Sequence, residues 1–262
     1  ELGDIKVFRE GKFEKYSHLS KWNLDSEVRG KMVFYKKGFL KRKIEIDIAF
    51  PALHGMNGED GTIQGLFEMF DIPYVGCDVY SSAVSMDKVF TKLIYKANLI
   101  PTTDFLFFKN IEWEKNRQEV ISKIEKDLTY PLFVKPSRLG SSIAISKVKT
   151  KKELEDALEV AFHYDSKVII EKAVEKIRDI TCCLIGNDNP VASLLQESIY
   201  NKDFVSYEDK YIEDGGTQFG KSDKKIIIPA NLDKKETQDI REMAKKIYKL
   251  IGCSGIARVD FL

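Results

Sequence analysis

The sequence predicts a fold of mixed class, α/β near its N-terminal side and α+β further along. Two observations carry this prediction. Between residues 46 and 76 a strand, a helix and a second strand follow one another, which implies parallel strands joined by a right-handed crossover. Between residues 100 and 174 the order is strand, helix, hairpin, helix and strand, as in a small α+β unit.

The composition is typical of a globular protein. The 262 residues are 43% hydrophobic and 32% charged, and this length suits one large domain or two to three small ones. Forty-two basic and 41 acidic residues give a net charge of +1, so nothing in the overall charge favours nucleic acid or a membrane surface. No apolar run approaches the length of a membrane span, and no signal peptide is visible. The four cysteines have no metal-binding spacing, and we expect reduced thiols in a cytoplasmic protein.

The predicted β–α–β unit begins with a buried strand over residues 46–53. A loop that starts at His54 follows, at the carboxyl end of the strand, where open α/β sheets place their ligands. His54 is therefore a candidate ligand-binding residue, whereas we interpret Asp60 as favouring the N-terminus of the next helix. That helix carries one apolar face, formed by Ile63, Leu66, Phe67 and Phe70.

A second helix is predicted over residues 84–100, with Ser85 as its N-cap and Pro101 after its end. We place a domain boundary near residues 80–86. Lys88 and Lys92 are four residues apart and share a face of this helix. By itself, such a pair indicates a solvated stripe.

The hairpin over residues 129–148 has the most informative pattern. An apolar strand, 132–134, ends at Lys135 and Pro136, and a loop with a glycine and two serines leads to a second strand at 143–145. Backbone N–H groups, hydroxyls and a lysine suit a polyphosphate. A surface hairpin with a snorkelling lysine fits this segment equally well.

The remaining elements follow local signals. Thr150 with Glu153, and Asp233 with Glu236, predict helix N-termini. Residues 207–225 are polar and glycine-rich without periodicity, which is typical of a functional or disordered loop. In the last strand Arg258 and Asp260 are two residues apart, so both project from one face.

Five segments, taken together, resemble the D-alanine–D-alanine ligases of the ATP-grasp superfamily. They occur in the family's order from about residue 46 to the C-terminus: HGMNGEDGTIQG, YVGCDVYSSAVSMDKVFTK, PLFVKPSRLGSS, YEDKY and GCSGIARVDF. The resemblance implies an ATP-grasp fold with a partial N-terminal parallel-sheet domain. It divides the chain into a partial N-terminal substrate domain (1–84), a central ATP-grasp domain (85–175) and an incomplete C-terminal ATP-grasp domain (176–262).

The resemblance also implies roles for individual residues. Residues expected to bind ATP through its phosphates, adenine or ribose are Lys92, Lys135, Ser142, Glu171, Lys172, Ala173, Val174, Asp179 and Lys210. Ser141 and Tyr211 would belong to a hydrogen-bonded group near the first D-alanine, and Arg258 would stabilise the oxyanion of the tetrahedral intermediate. His54 would lie near the substrate amino acids, and Asp260 would bind Mg²⁺ or Mn²⁺.

The implied activity is the joining of two D-alanines through an acyl phosphate formed from ATP, for peptidoglycan synthesis. Such catalysis consists mainly of positioning and charge neutralisation in a site that excludes water. Lys92 and Lys135 must then meet the same triphosphate, with Arg258 and Asp260 opposite them. A homodimer is also implied by the family.

The sequence departs from the family pattern in four places. The strand with an Asn-Glu-x-Asn segment that completes the metal site would follow Leu262, and the glycine-rich strand that holds the first D-alanine is not found. We therefore expect a chain truncated at both ends. Asp179 stands where a glutamate is usual, and Ala144 where a glycine is common.

Other functions stay open at this point. A D-alanine–D-serine ligase is the nearest alternative, and Tyr211 after Lys210 argues against the D-lactate-adding members of the family. An inactive ATP-binding fragment and another ATP-grasp carboxylate–amine ligase are further possibilities. The loop that starts at His54 weighs against the last of these, because this region sets the amino-acid substrate in the resembled family.

Overall fold

The computed structural model describes residues 32–35, 43–140, 144–174, 177–199 and 225–262. Four candidate site residues, Ser141, Ser142, Lys210 and Tyr211, lie outside these ranges, as does most of the loop predicted over 207–225. Across the described ranges no helix is long and apolar enough to span a membrane.

The N-terminal part contains two short strands, a single parallel bridge and a helix. Strands β1 (Met32–Tyr35) and β2 (Lys43–Ile46) form an antiparallel hairpin, and helix α1 spans Thr62–Met69. Ala49 pairs with Tyr74 in a parallel bridge, so the predicted parallel pairing is confirmed at this position, whereas the right hand of the crossover stays a prediction. The apolar face of α1 is also confirmed, since Phe67 forms a core with Ile72 against which Ile63 and Phe70 pack.

The buried strand predicted over residues 46–53 is wrong. Ile46 ends β2 and Ala49 forms an isolated bridge, but the other residues of this range pair with no strand, and Phe50 and Leu53 are 67% and 50% exposed. Pro51 has no backbone N–H, so it cannot extend the ladder beyond this bridge.

Two helices replace the single helix predicted over residues 84–100. Helix α2 spans Val79–Met86 and α3 spans Lys88–Ala97. Ser85 lies inside α2 and is not an N-cap. The extended backbone of Asp87 separates the helices, and its carboxylate accepts hydrogen bonds from the N–H groups of Val89 and Phe90. A carboxylate is a strong N-cap because it accepts from N–H groups that have no partner within the helix.

The next part of the chain forms a four-stranded antiparallel sheet in the order β3-β6-β4-β5. Its elements, in chain order, are β3 (Phe105–Lys109), α4 (Asn110–Lys115), α5 (Arg117–Asp127), β4 (Leu132–Pro136), β5 (Ser146–Val148), α6 (Lys151–Tyr164) and β6 (Lys167–Lys172). The helices cover one face of the sheet through a core of buried side chains that includes Ile121, Ile124, Leu132, Val134, Leu154, Leu158, Val168 and Ile170.

The order of elements predicted for residues 100–174 is confirmed, but three details of that prediction are wrong. Asn116 divides the helix predicted over residues 112–126, because its side chain caps α5. Thr150 caps α6, but the Glu153 carboxylate accepts from the N–H of Lys149 and does not complete a capping box. The second hairpin strand begins at Ser146 instead of residue 143, since Ala144 has a φ of +53° and turns the chain.

The C-terminal part forms a five-stranded antiparallel sheet. Its main order is β10-β9-β7-β11, and β8 pairs with β7 beside β9. The elements are β7 (Asp179–Gly186), β8 (Val191–Ala192), β9 (Gln196–Ile199), β10 (Lys225–Ile227), α7 (Lys234–Ile251) and β11 (Gly255–Phe261). The predicted capping box of Asp233 and Glu236 is confirmed at the start of α7. The α7 residues Ala244 and Tyr248 pack into a core with Cys182 and Leu184 of β7. The domain boundaries near residues 84 and 175 stay predictions.

The core between the four-stranded sheet and its helices predicts a large difference in stability between substitutions at two positions of α6. Leu158 is fully buried, so Leu158→Ala should lower the free energy of unfolding by about 2–5 kcal/mol through lost burial and the cavity that remains. Val160 is 47% exposed on the same helix, and Val160→Ala should cost less than about 1 kcal/mol. Urea denaturation of both variants measures the difference, and equal losses would contradict this packing.

Candidate functional site

Three charged side chains from three separate elements meet on one face of the four-stranded sheet β3-β6-β4-β5. Lys92 Nζ of α3 lies 2.5 Å from Oε1 of Glu171, and Lys135 Nζ of β4 contacts Oε2 of the same carboxylate. The side chains of Lys92, Lys135 and Glu171 are 15%, 21% and 7% exposed, respectively. The structure therefore brings together the two lysines that were predicted to bind phosphate, and both pair with the carboxylate of Glu171.

Strand register explains how β4 and β6 contribute to this group. Phe133 of β4 is paired with Glu171 of β6, and Lys135 follows two residues later on the same face of the sheet. Lys135 is thus a diagonal neighbour of Glu171, within reach of a long side chain. The opposite face carries the apolar core with the helices, so alternation along both strands separates the charged face from the packed one.

Helix α3 supplies the third member of the group. Val89 of this helix packs with Phe105 and Ile169 on the charged face of the sheet. One turn further on, Lys92 Nζ donates to Thr102 Oγ1 at 2.9 Å and to Thr103 Oγ1 at 2.6 Å, in addition to Glu171. The interpretation of Lys88 and Lys92 as a solvated stripe is wrong, because this face of α3 is turned towards the sheet.

Burial and charge act against each other at Glu171 and at Lys92. Burial opposes ionisation of Glu171, but the charges of Lys135 and Lys92 outweigh it and hold the pKa of this carboxyl below its usual value. Burial lowers the pKa of Lys92, and Glu171 counteracts part of that effect. Two ammonium groups share one carboxylate, so the cluster suits an additional anion.

The residues predicted to contact adenine continue from Glu171 at the end of β6. The backbone N–H of Lys172 donates to the carbonyl oxygen of Asp104, and that of Ala173 to Pro131, both at 3.0 Å. A base that used these two N–H groups would have to displace those bonds. Val174 follows and is 39% exposed, and Asp179 opens β7, where its backbone is paired with Ser198.

Arg258 and Asp260 project from one face of β11, as the spacing predicts. Arg258 Nη2 lies 2.9 Å from Asp260 Oδ2, and Thr181 Oγ1 of β7 donates to Asp260 Oδ1 at 2.9 Å. Both Arg258 and Asp260 are solvent-exposed. The pair thus presents a guanidinium and a carboxylate, held side by side by the pairing of β11 with β7.

Strand β11 offers a divalent cation one carboxylate ligand, the side chain of Asp260. Mg²⁺ and Mn²⁺ prefer carboxylate oxygens, which Asp260 provides. Within the described ranges no group of three or more His, Cys, Asp or Glu side chains is arranged to hold a metal ion. These residues fit a metal site to which Asp260 contributes a single ligand.

His54 lies in the exposed loop that precedes α1. Its Nδ1 is 3.8 Å from Glu59 Oε1, and the side chain is 73% exposed. Asp60 accepts hydrogen bonds from the N–H groups of Asn57 and Thr62, in agreement with its predicted place at the start of the helix. The loop is therefore ordered by its own carboxylates, and the part that His54 plays stays a prediction.

Sequence reasoning missed the residues that support the lysines. Thr102 and Thr103 hold Lys92, and Lys88 donates to backbone carbonyl groups beyond Lys135. A signal was present at the start of α3, where an aspartate and a lysine precede Lys92 by one helical turn. The partners themselves are 10–51 residues away in the sequence, so no local pattern reveals them.

Family models match both parts of the chain. The model described as the C-terminus of D-ala D-ala ligase matches residues 94–262, and the model of its N-terminus matches residues 7–77.

Curated proteins similar to this chain are named D-alanine–D-alanine ligase, as in the matching family models. A D-alanine–D-alanine ligase from Acetivibrio thermocellus is 48% identical over 217 residues, which cover 83% of this chain and 55% of the relative. One from Caldicellulosiruptor bescii is 42% identical over 273 residues, which cover 100% of this chain and 72% of the relative.

Solved structures agree in fold. The VanG D-Ala:D-Ser ligase from Enterococcus faecalis has a TM-score of 0.78 at 36% identity, over 98% of this chain and 71% of that one. The D-alanine–D-alanine ligase from Coxiella burnetii has a TM-score of 0.72 at 30% identity, over 98% of this chain and 63% of that one.

Because Glu171 is the counter-ion of both lysines, we expect Glu171→Gln to lower the free energy of unfolding and to make it less dependent on acid pH. Glu171→Gln leaves two largely buried ammonium groups without their carboxylate, which should lower the free energy of unfolding by about 3–5 kcal/mol at neutral pH. The folded-state pKa of Glu171 lies below its usual value. Its contribution is therefore complete above the unfolded pKa of about 4.3 and is lost as pH falls through the folded pKa.

Urea denaturation between pH 3 and pH 7 measures this difference. The gap between the wild type and Glu171→Gln should close towards the acid end of the range. Glu114→Gln serves as the control, because Glu114 is exposed on α4 and should change stability little at any pH. A constant gap across the range would contradict the assigned ion pairs.

Proposed function

Because the chain belongs to the D-alanine–D-alanine ligase family, we propose that the protein joins two D-alanine molecules into D-alanyl-D-alanine with ATP. Its two antiparallel sheets form the ATP-grasp fold shared with the solved D-Ala ligases. The product would serve peptidoglycan precursor synthesis. The chain spans about half the length of some curated relatives, 55% in the Acetivibrio thermocellus ligase, so the activity of the whole protein is inferred from that family.

The observation that carries the proposal is the convergence of Lys92 and Lys135 on one carboxylate. Two ammonium groups from different elements can neutralise a single phosphate group more effectively than two lysines on one exposed helix. Transfer of a phosphoryl group needs mainly such positioning and charge neutralisation. The partly buried setting strengthens both interactions, because few water molecules screen them.

The remaining residues are assigned on family grounds. Glu171, Lys172, Ala173 and Val174 meet the adenine, Asp179 meets the ribose, and Lys210 and Ser142 join the phosphate contacts. Ser141, Tyr211 and His54 lie near the D-alanine substrates in this proposal. Arg258 stabilises the oxyanion that forms when the second amine attacks the acyl phosphate, since a guanidinium is well suited to a developing negative charge.

Asp260 would contribute a ligand to Mg²⁺, or to Mn²⁺. A divalent cation at this position supplies neutralising charge to the transferred phosphoryl group. Its neighbours Thr181 and Arg258 hold the Asp260 carboxylate in place through hydrogen bonds at 2.9 Å. Such support from surrounding groups orients metal-binding carboxylates.

A D-alanine–D-serine ligase is the second candidate. The observation that favours it is the similarity to the VanG D-Ala:D-Ser ligase, at 36% identity with a TM-score of 0.78. The two activities share the acyl phosphate and differ only in the attacking amino acid.

We place the reaction in the cytoplasm, where ATP and reduced thiols coexist. The four cysteines of the chain are free in the structure, as that environment requires. A homodimer is proposed from the family.

A ligase assay with the full-length protein tests the main proposal. ATP and Mg²⁺ with D-alanine alone should give ADP, phosphate and D-alanyl-D-alanine, and added D-serine should compete poorly as the second substrate. Chromatography of the products separates the two dipeptides. A dominant D-alanyl-D-serine product would favour the second candidate. Tight ATP binding without D-alanine-dependent phosphate release would instead indicate a nucleotide-binding module.

The lysine pair makes a second prediction. Lys135→Met should weaken ATP binding by about 10- to 100-fold, since a hydrogen bond to a charged group contributes about 1.5–3 kcal/mol. Isothermal titration measures the dissociation constant. Lys126→Met is the matched control, because Lys126 is exposed on α5, on the other side of the apolar core, and should leave ATP affinity unchanged. Equal affinity of the Lys135→Met variant and the wild type would remove the phosphate role of this residue.

A further inference from the structure

Two of the four cysteines lie next to each other in the folded chain. Cys77 precedes α2, and Cys253 lies in the turn between α7 and β11, far away in the sequence. The thiol of Cys253 donates a hydrogen bond to the sulfur of Cys77. Both residues are free and half-buried, and the proposed nucleotide and metal contacts use neither of them.

The backbone around the two cysteines holds them in this arrangement. Ser254 Oγ donates to the carbonyl oxygen of Gly76 at 2.9 Å, and the backbone N–H of Ser254 donates to the sulfur of Cys77. Gly255 has a φ of +66°, and a Cβ atom at this position would lie 2.6 Å from the backbone nitrogen of Gly76. Only a glycine permits this approach, so the two segments are in direct main-chain contact.

The other two cysteines are arranged differently. Cys182 and Cys183 are consecutive on β7, so their side chains point to opposite faces of the sheet. Cys182 is fully buried in the core with α7, whereas Cys183 is exposed. Cys183 therefore serves as a reference for an accessible thiol that points away from the other cysteine of its strand.

The hydrogen bond between Cys77 and Cys253 gives the two sulfur atoms different protonation states. It lowers the pKa of Cys77 to about 6, although burial and the charge of Asp78 act in the opposite direction. The same bond, together with burial, raises the pKa of Cys253. At neutral pH Cys77 is then mainly a thiolate and Cys253 a thiol. The thiolate is the form that attacks a disulfide, so Cys77 is the group that reacts first.

We propose that Cys77 and Cys253 form a redox-active dithiol site, which exchanges with a low-molecular-weight disulfide such as oxidised glutathione and closes an intramolecular disulfide. The free thiols of the structure are the reduced form of this site. The disulfide would join the segment that leads into α2 to the start of β11, two segments that are already in contact. The inference goes beyond the proposed ligase function and does not depend on it.

The exchange takes place in two steps. The Cys77 thiolate attacks one sulfur of the small disulfide, which forms a mixed disulfide and releases one small thiolate. A neutral sulfur accepts a hydrogen bond only weakly, so the main cause of the raised Cys253 pKa is then removed. Cys253 gives its proton to the released thiolate and attacks the sulfur of Cys77. The second small thiolate leaves and takes up a proton from water.

Electrons and protons balance in this scheme. The two cysteines lose two electrons and two protons in total and form one sulfur–sulfur bond. The small disulfide gains the same two electrons and two protons, loses its own sulfur–sulfur bond and is released as two thiols. An excess of reduced glutathione reverses both steps, so the ratio of the two glutathione forms sets the state of the site.

The test is disulfide mapping of the full-length protein after equilibration with mixtures of reduced and oxidised glutathione, up to oxidised glutathione alone. Acid quenching, alkylation of the remaining thiols and mass spectrometry of tryptic peptides identify each linkage. Trypsin places Cys77, Cys253 and the two cysteines of β7 on three different peptides. The link between Cys77 and Cys253 should be at least about tenfold more abundant than any other cysteine pairing, because contact in the fold gives these thiols a high effective concentration. This preference should disappear in concentrated urea.

Single substitutions separate the roles of the two cysteines. Cys253→Ser should stop the exchange at a mixed disulfide between Cys77 and glutathione. Cys183→Ser is the matched control, and it should form the link between Cys77 and Cys253 to the same extent as the wild type. If circular dichroism shows that Cys253→Ser does not fold, Cys253→Ala takes its place.

Three results would overturn the inference. The first is a wild type in which Cys77 and Cys253 both stay reduced in oxidised glutathione, and the second is native protein in which other pairings are as abundant as this one. The third is a folded Cys253→Ser variant in which Cys77 takes up no glutathione. None of these measurements uses ATP or D-alanine, so their failure would leave the proposed ligase function untouched, and failure of the ligase assay would leave the dithiol site untouched.

Discussion

The register of β4 against β6 is the constraint on which the charged site depends. Pairing of Phe133 with Glu171 places Lys135 and Glu171 on one face and Leu132 and Val134 on the other. A slip of one residue would move Lys135 into the apolar core and expose Val134 on the charged face. Burial of a charge without a partner is costly, whereas burial of a valine is favourable, so the same apolar packing that stabilises the sheet also selects the register that forms the site.

The two faces of this sheet divide structural and chemical roles. One face packs against α5 and α6 through fully buried aliphatic side chains, and it provides a rigid support. The other face receives α3, whose Val89 makes a small apolar contact with Phe105 and Ile169 beside the ion pairs. Side chains on strands and helices are positioned more accurately than those on loops, which suits a site that works by placing charges.

Local sequence patterns predicted most of the elements but not their pairing. The cap of α7, the alternation that places Arg258 and Asp260 together and the order of elements from 100 to 174 depend on residues within a few positions of one another. The division at Asp87 was missed although its cap on Val89 and Phe90 is local; the bonds from Ser137 and Lys167 that also hold this carboxylate come from residues 50 and 80 positions away. The buried strand expected around Phe50 failed for a related reason, because an apolar run does not reveal whether a neighbouring strand covers it.

For the site, the resemblance to a known family identified Lys92 and Lys135, whereas the residues alone could not decide between a phosphate site and a surface hairpin. Glu171 was expected to meet adenine, and its contact with both lysines follows from tertiary structure alone. The bonds from Lys92 to Thr102 and Thr103, and from Lys88 to the carbonyl oxygen of Leu139, also form only in the folded structure.

The contact of Glu171 with both lysines has a consequence for how an anion would enter. The carboxylate acts as an internal competitor, present at a high effective concentration, that neutralises the lysines before any phosphate arrives. An incoming phosphate must therefore compete with Glu171 for the two lysines, and what it gains is reduced by the contacts that they already make. A small anion such as chloride gains little in this competition, whereas a polyphosphate with several oxygens gains more. Glu171 would thus act as a filter against weakly bound ions.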